Sequence, residues 1–414
     1  MTYDLLHGVK VVEVAMYAFA PSAGAILADW GADVVKVVPP RTADPMNGNP
    51  VAGLPDKDVG VRFMWQILNR GKRCIALDVS TGAGRDVLHD LVREADVFIT
   101  NLLPSARRRF GLDVSDLHAL KADLVYARAT GHGDRGPERD RGGYDITDFW
   151  SRAGVGHAAS QVADEFVPLV SPAFGDLTSG GFLAGAIAAA LFRRERTGAG
   201  AVVDVSLLSS AMWVMSPNAV AAQLYGVDAI PRFRHADARN PLVNAYRTAD
   251  DRYIYLSGVL TEGSFAKLCA TVGRDDLGAD PRFQDSASLA ANARECVAEL
   301  DAVFASRPLA EWSTVLADLP IPWTVVRSAG ETASDPQVQA NGYLVEVEAE
   351  AEAGVEVGGS ARTFPLVASP AQFDDVPQRL RRAPEHGEHG DEIVGELGRG
   401  WDDIVAMKVA GELL

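Results

Sequence analysis

The chain has 414 residues, 47% of them hydrophobic and 23% charged, which excludes wholesale disorder, collagen-like repeats and a small disulfide scaffold. At about 150 residues per domain, this length predicts two or three domains. Thirty-nine basic against 56 acidic side chains give a formal charge of −17. That field repels nucleic acid and anionic membranes, so neither is expected as a partner, and an anionic ligand needs a local basic pocket.

The first 130 residues alternate strand and helix signals. Runs at 9–14, 33–38, 73–77, 96–100 and 124–127 read as short strands. Helical spacing marks 21–31 and 81–95, where Val87, Leu88, Leu91 and Val92 share a face. Apolar strands separated by helices predict a parallel sheet covered on both faces. Residues 41–60, rich in Pro, Gly, Asn and Asp, read as a long loop of the kind that often carries function. The clearest helix is 176–196. It closes on Arg193, Arg194, Glu195 and Arg196 before Gly198, and basic residues and glycine suit a helix end. Its apolar run 180–192 is shorter than the ~20 residues of a membrane span and reads as a buried helix. A strand at 202–205 and a helix over 206–225 follow.

Composition changes near Ile230, and 231–241 reads as a linker. A hairpin over 246–256, helices over 262–272, 288–305 and 308–318, and a short run at 323–326 predict a compact α+β domain of about 100 residues. The acidic stretch 345–359 reads as turns, and the tail from Asp391 as helical. Cys74, Cys269 and Cys296 are odd in number, far apart and without a CxxC pair. This predicts reduced core thiols in a cytoplasmic protein, with no zinc–cysteine site. The N-terminal MTYDLLHGVK lacks the order of a signal peptide.

The segment Gly131-His132-Gly133-Asp134-Arg135-Gly136 matches the dinucleotide pattern GxGxxG. Pro137 and polar residues follow it, where a true fingerprint opens a helix, so it reads as a loop needing backbone freedom. No P-loop, GxSxG elbow or HExxH helix occurs. His386 and His389, beside Glu385 and Glu388, read as a solvated tail and not as a metal site. Asn101 and Arg107, Arg108 and Arg109 follow a strand end at the sheet edge where ligands usually bind. The three arginines suit a phosphate clamp and a plain basic helix face equally. Asp176 stands at a helix start among small residues. Asp is a good N-cap, and a carboxylate there would also sit beside free N–H groups able to hold an oxyanion.

In order and spacing these segments resemble the family III CoA-transferases, the CaiB/BaiF family. The resemblance runs from LLHGVKVVEV and ADWGADVVKV through LNRGKRCIALDV (68–79), NLLPSARRRFGL (101–112), ATGHGDRGP (129–137) and RGGYD (141–145). Its sharpest part is FGDLTSGGFLAGAIAAALFRRERTGAGAVVDVS (174–206), and it continues in DPRF (280–283) and APEHGEHGDEI (383–393).

The resemblance implies an α/β fold with an open, mostly parallel, Rossmann-like large domain over 1–228 and a smaller α+β domain over 229–330. The segment 331–414 returns to the large domain. Two chains interlock as a homodimer, with the active site between large and small domains. The implied activity is CoA transfer from an acyl-CoA to a free carboxylic acid, with no permanently bound cofactor and no metal. Asp176 falls on the family nucleophile, Asn101 and Arg109 on CoA-holding positions, and Gly131, His132 and Gly133 on a loop beside the site. Arg41 is displaced by two from the family's basic position, which Val38-Pro39-Pro40 replaces. The family's small-domain glycine loop is poorly matched, with Ser257-Gly258 and Gly263 nearest.

The same family holds α-methylacyl-CoA racemases, whose G-H-D histidine here is Tyr144 of Gly143-Tyr144-Asp145. A phenol with a pKa near 10 is a poor two-way acid/base at neutral pH, which favours transfer. Phe149, Trp150, Trp213 and Met215 hint at a bulky or aliphatic acyl group, against a plainer reading as dimer core.

Overall fold

The computed structural model describes residues 3–48, 51, 53–55, 59–259, 263–348 and 363–414. The β-branched runs become β1 (Lys10–Val14), β2 (Asp33–Val38), β3 (Arg73–Ala76), β4 (Val97–Thr100) and β5 (Val125–Thr130), and β6 (Ala201–Ser206) joins them. All pair parallel in the order β3-β2-β1-β4-β5-β6. The helices between them are α1 (Phe19–Asp29), α2 (Phe63–Asn69), α3 (Gly82–Glu94), α4 (Pro104–Phe110) and α5 (Val114–Leu120). A π-helical segment, Asp145–Arg152, precedes α6 (Val155–Ser160) and α7 (Phe174–Thr197), and α8 (Leu207–Val214) and α9 (Ser216–Tyr225) follow β6.

Alternate strand residues serve opposite faces. Val11, Val97, Ile99 and Ala127 pack with α1, α7 and α8. Val12, Val35, Phe98 and Tyr126 pack with α3, α5 and the helices Gly390–Glu396 and Trp401–Ala410. The result is three layers, helix on sheet on helix.

Several boundaries differ from the sequence reading for physical reasons. α1 starts at Phe19, two residues before Pro21, because a proline lacking its N–H is tolerated in a helix's unpaired first turn. The single helix over 206–225 is two, meeting at Met215, with Pro217 in the first turn of the second. The helix expected over 288–305 is likewise interrupted at Asn292.

α7 is not buried throughout. Gly180 crosses α1 so closely that a Cβ would lie 1.9 Å from Ser22 Oγ, whereas Phe182 and Phe192 are exposed. Among the described residues α7 alone is long and apolar enough to cross a membrane. Here its small-residue face lies against α1 and the sheet.

The chain divides into two compact units. One comprises Met1–Ala159, Glu165–Ala229 and Pro336–Leu414, the other Ser160–Asp164 and Ile230–Asp335. In the second, β7 (Val243–Arg247), β8 (Tyr253–Ser257) and β9 (Trp323–Val325) form an antiparallel sheet. Its core holds Tyr246, Phe283, Phe304 and Trp312.

In the first unit β10 (Leu344–Glu348) pairs antiparallel with β11 (Thr363–Val367). Residues 345–348 of the acidic stretch are therefore strand, and 349–359 lie outside the described residues. The tail around His389 is not a solvated turn. It lies along the free edge of β3, where His389 N–H donates to the Cys74 carbonyl at 2.9 Å and Leu414 N–H to that of Ala76 at 3.2 Å. All three cysteines are buried and free.

Candidate active site

Strands β1 and β4 are neighbours, but the chain leaves them toward opposite edges of the sheet. Such a switch point opens a crevice at the C-terminal ends of the strands, where ligands bind in open α/β sheets. Asn101, one residue past β4, spans it. Its side-chain carbonyl accepts from Met16 N–H at 3.2 Å and its amide donates to the Met16 carbonyl at 2.6 Å. Beside this clamp lies a cavity of about 480 Å³ lined by Tyr17, Asn101, Gly131, Tyr144, Asp145 and Asp176, with Met46, Met64 and other apolar side chains.

Two lining residues, Tyr17 and Ala173, have φ of +66° and +57°. Left-handed backbone at a side chain other than glycine is strained and persists only where its surroundings hold it. Tyr17 is held by Asp44, whose carboxylate accepts from the N–H groups of Tyr17 (3.2 Å) and Met46 (3.0 Å). Asp44 is itself paired with the buried Lys36 ammonium at 3.2 Å. Across the cavity mouth Tyr17 and Tyr144 meet edge to face, their centroids 5.7 Å apart, and the Tyr144 hydrogen bond raises the Tyr17 pKa.

Ala173 sets the direction in which α7 starts and carries Asp176 into the cavity. Asp176 does not cap this helix, contrary to the plainer reading of the sequence, because it lies inside the first turn. The cap comes from Asp145, whose Oδ2 accepts from Gly175 N–H at 2.8 Å and Asp176 N–H at 3.4 Å. Those two N–H groups are therefore occupied and not free for an oxyanion. A Cβ on Gly175 would lie 2.4 Å from Asp145 Oδ1, so only glycine admits this capping carboxylate. Nothing local in the sequence links residues 145 and 175. The clue was the Asp in Gly143-Tyr144-Asp145.

Electrostatics sets Asp176 apart from an ordinary carboxylate. Free Asp has a pKa near 3.9 and would be fully ionised at pH 7. Burial, reinforced by the nearby Asp145 charge, pushes Asp176 up to about 7. Burial raises Asp145 as well, opposed by the N–H groups of Gly175 and Asp176. A carboxyl poised near neutrality in an apolar cavity is the environment of a functional group.

Gly131 and Gly143 bring two loops into contact over Asp148. A Cβ on Gly131 would lie 2.7 Å from the Gly143 Cα, and one on Gly143 only 2.0 Å from Asp148 Oδ2. Gly133, at φ +99°, completes the turn. His132 is not among the residues that line the cavity and pairs with Asp148 through Nδ1 at 2.5 Å. Gly143→Ala is expected to cost about 1–3 kcal/mol through this overlap, read as a lowered thermal midpoint. An unchanged midpoint would show that the loop yields freely.

The arginines part company. Arg107 is buried and bound to Asp134 at 2.8 Å and Asp113 at 3.3 Å, so it braces the fold, and Arg108 faces Asp140 at 3.8 Å. Arg109 is exposed, its guanidinium 4.4 Å from the centroid of Phe110. Arg41 is also exposed and lies against Gly411, where a Cβ would come within 2.9 Å of its Nη2. Neither lines the cavity of Asp176. Phe110 and Pro39 border a smaller apolar slot of about 160 Å³ with Met16 and Leu102. Phe149 and Trp150 are buried against Phe174 instead of lining the cavity, and Trp213 is exposed on α8.

The family model for CoA-transferase family III matches residues 6–390. Similar curated proteins include a cinnamoyl-CoA:phenyllactate CoA-transferase of Clostridium sporogenes, 29% identical over 95% of this chain and 94% of that one. A succinate–glutarate CoA-transferase of Agrobacterium fabrum is 30% identical over 95% of each. Among solved structures, a CAIB/BAIF family protein from Brucella suis superposes with a TM-score of 0.79 at 28% identity, covering 96% of this chain and all of that one. Rv3272 from Mycobacterium tuberculosis gives 0.75 at 27%, covering 94% and 98%.

Proposed function

The chain belongs to CoA-transferase family III, and from that premise we propose that it moves CoA between an acyl-CoA and a free carboxylic acid with Asp176 as the nucleophile. The observation that carries this reading is the Asp176 carboxyl, held near neutrality in an apolar cavity at the switch point of the sheet.

The ionised carboxylate attacks the thioester carbonyl of the donor. The C–S bond breaks, leaving an aspartyl mixed anhydride and CoA thiolate. The thiolate attacks the Asp176 carbonyl, the anhydride C–O bond breaks, and the donor acid leaves as its carboxylate, with an aspartyl-CoA thioester formed. The acceptor carboxylate then runs the two exchanges in reverse. Each step trades one acyl bond for another, which covalent catalysis by a carboxylate suits. With the N–H groups of Gly175 and Asp176 engaged by Asp145, oxyanion stabilisation falls to other donors at the cavity. The smaller slot offers apolar faces for the adenine of CoA, with Arg41 and Arg109 as the basic groups for its phosphates.

The pairing of His132 with Asp148, outside the cavity lining, and the phenol at Tyr144 support transfer over α-proton exchange. The exposed apolar side chains Met212, Trp213, Val220, Leu224 and Tyr225 on α8 and α9 support a homodimer. Light scattering after size exclusion should give twice the chain mass, and a monomer at micromolar concentration would refute it.

The pH profile tests the nucleophile. Only the carboxylate attacks, so kcat/KM for the acyl-CoA should fall about tenfold per pH unit below the Asp176 pKa of about 7. Asp145→Asn keeps an acceptor for the helix cap but removes the like charge, so the inflection should move to lower pH. A profile flat from pH 5 to 8 would exclude this role for Asp176.

The relatives of comparable identity are named for arylic and dicarboxylic acids alike, so likeness does not choose the acids.

A further inference from the structure

The lining of the cavity at Asp176 bears on which acids fit it. Its walls include Met46, Val51, Met64, Ile146, Leu169 and Leu207, and none of the described residues that line it is Arg, Lys or His. The only charged side chains among them are Asp145 and Asp176. We infer that the acids handled here are apolar monocarboxylic acids with a branched or aromatic side chain, and that dicarboxylic acids are rejected.

The reasoning concerns the carboxylate that does not react. A second carboxylate at the far end of a diacid would leave water for an apolar wall with no counter-cation and two acidic groups nearby, a strongly unfavourable transfer. The reacting end escapes this penalty. The donor presents a neutral thioester, and when the acceptor carboxylate arrives Asp176 is itself a thioester and has lost its charge. The two methionines add tolerance of shape, because an unbranched thioether repacks around a ring or a branch without strain. Discrimination here works by leaving the wrong ligand's polar group unpaired, which is more effective than subtracting a methylene from a pocket.

The inference rests on the transferase reading, and binding separates the two. Dissociation constants of 3-phenylpropanoyl-CoA and glutaryl-CoA are compared by calorimetry at pH 8 on the full-length Asp176→Asn variant, which keeps the apolar walls of the cavity and forms no covalent adduct. The two thioesters share CoA and differ in the acyl end. Glutaryl-CoA should bind at least about 30-fold more weakly. Equal affinities would overturn the inference. Met64→Arg places a cation on the cavity wall and should narrow the gap about tenfold or more, and a gap left unchanged would count against the stated cause. Met46→Arg, at a half-buried position in the short 3-10 helix Pro45–Asn47, serves if the first variant does not fold.

Turnover by the wild type is then followed with 3-phenylpropanoate and glutarate as acceptors. Selective binding without exchange of any acid would defeat the transferase reading and leave the selectivity standing. Equal transfer to both acids would defeat the selectivity and leave the transferase standing.

Discussion

Asp176→Ala is expected to lower CoA transfer by more than about ten-thousand-fold, since removing a covalent nucleophile elsewhere costs on the order of a million. Acyl-CoA should still bind, because the slot by Phe110 and the crevice at Asn101 are untouched. Intact-mass spectrometry after mixing with acyl-CoA gives the clearest reading: a CoA-sized adduct on the wild type and none on the variant. Retained transfer would end the assignment.

The same residue carries a stability signature. Its folded pKa of about 7 lies above the unfolded value near 3.8, so between these values the folded state holds more protons than the unfolded one. This group's contribution to stability is therefore greatest at low pH and is lost as pH rises through 7. Asp176→Asn should accordingly raise stability by about 2 kcal/mol at pH 8 and by little at pH 4. Urea unfolding at the two pH values measures the difference. A gain independent of pH would mean that the charge is not what burial penalises.

The second large effect is expected far from the chemistry. Glu13 on β1 is wholly buried, and its carboxylate receives Lys72 at 2.8 and 3.0 Å and Lys36 at 3.2 Å. Lys72 also donates to the Pro21 carbonyl at 2.8 Å and to Asn69 at 3.1 Å. Lys36 also donates to the Ala15 carbonyl at 2.9 Å and pairs with Asp44. Two carboxylates thus face two ammoniums out of reach of water. Burial pulls Lys72 down to about 8 against the Glu13 charge. For Lys36 the Glu13 and Asp44 charges outweigh burial and raise it.

Glu13→Ala leaves two buried cations with one anion between them, and breaking such a network costs about 3–5 kcal/mol. Neutralising both ends of one pair, Glu13→Gln with Lys72→Met, should cost clearly less than the two single changes added together. Denaturant midpoints of the four proteins decide it, and strict additivity would show that the charges are not coupled. Because Asp44 also holds Tyr17 and Met46, loss of Glu13 should be felt in the cavity as well, as a raised KM.

The parallel sheet was legible because strands such as β1, β2 and β4 are buried on both faces and read as apolar runs rich in β-branched residues. Even so, Lys36 within DVVKVV gave no hint of its partners, which are Glu13 on β1, the Ala15 carbonyl just after it and Asp44 in a loop. Helices were legible where spacing was regular and were misplaced where a single residue, Pro217 or Asn292, broke a continuous pattern. At the site, Asp176 stood out through its small neighbours, but its helix position and its pKa depend on Asp145, thirty-one residues earlier. Phe149 and Trp150 were open to two readings, an acyl-binding wall and the plainer one of dimer core, because composition shows that a side chain is apolar without showing which way it faces. The cavity is lined instead by residues such as Met46, Met64 and Leu207, scattered along the chain. The strain at Tyr17 and Ala173 has no sequence signal, since neither residue type favours a left-handed backbone.

The strand edge at β3 is closed by residues near the far end of the chain. His389 bonds to Cys74, Leu413 bridges Leu77, and Asp78 N–H donates to the Glu412 carbonyl at 2.8 Å. On a ribosome, β3 emerges more than three hundred residues before these partners. Throughout that interval a hydrogen-bonding edge is uncovered, and such edges recruit other strands. The second compact unit, Ser160–Asp164 with Ile230–Asp335, is translated inside that same interval. Nascent chains of this protein should therefore depend on chaperone cover until the closing tail segment arrives.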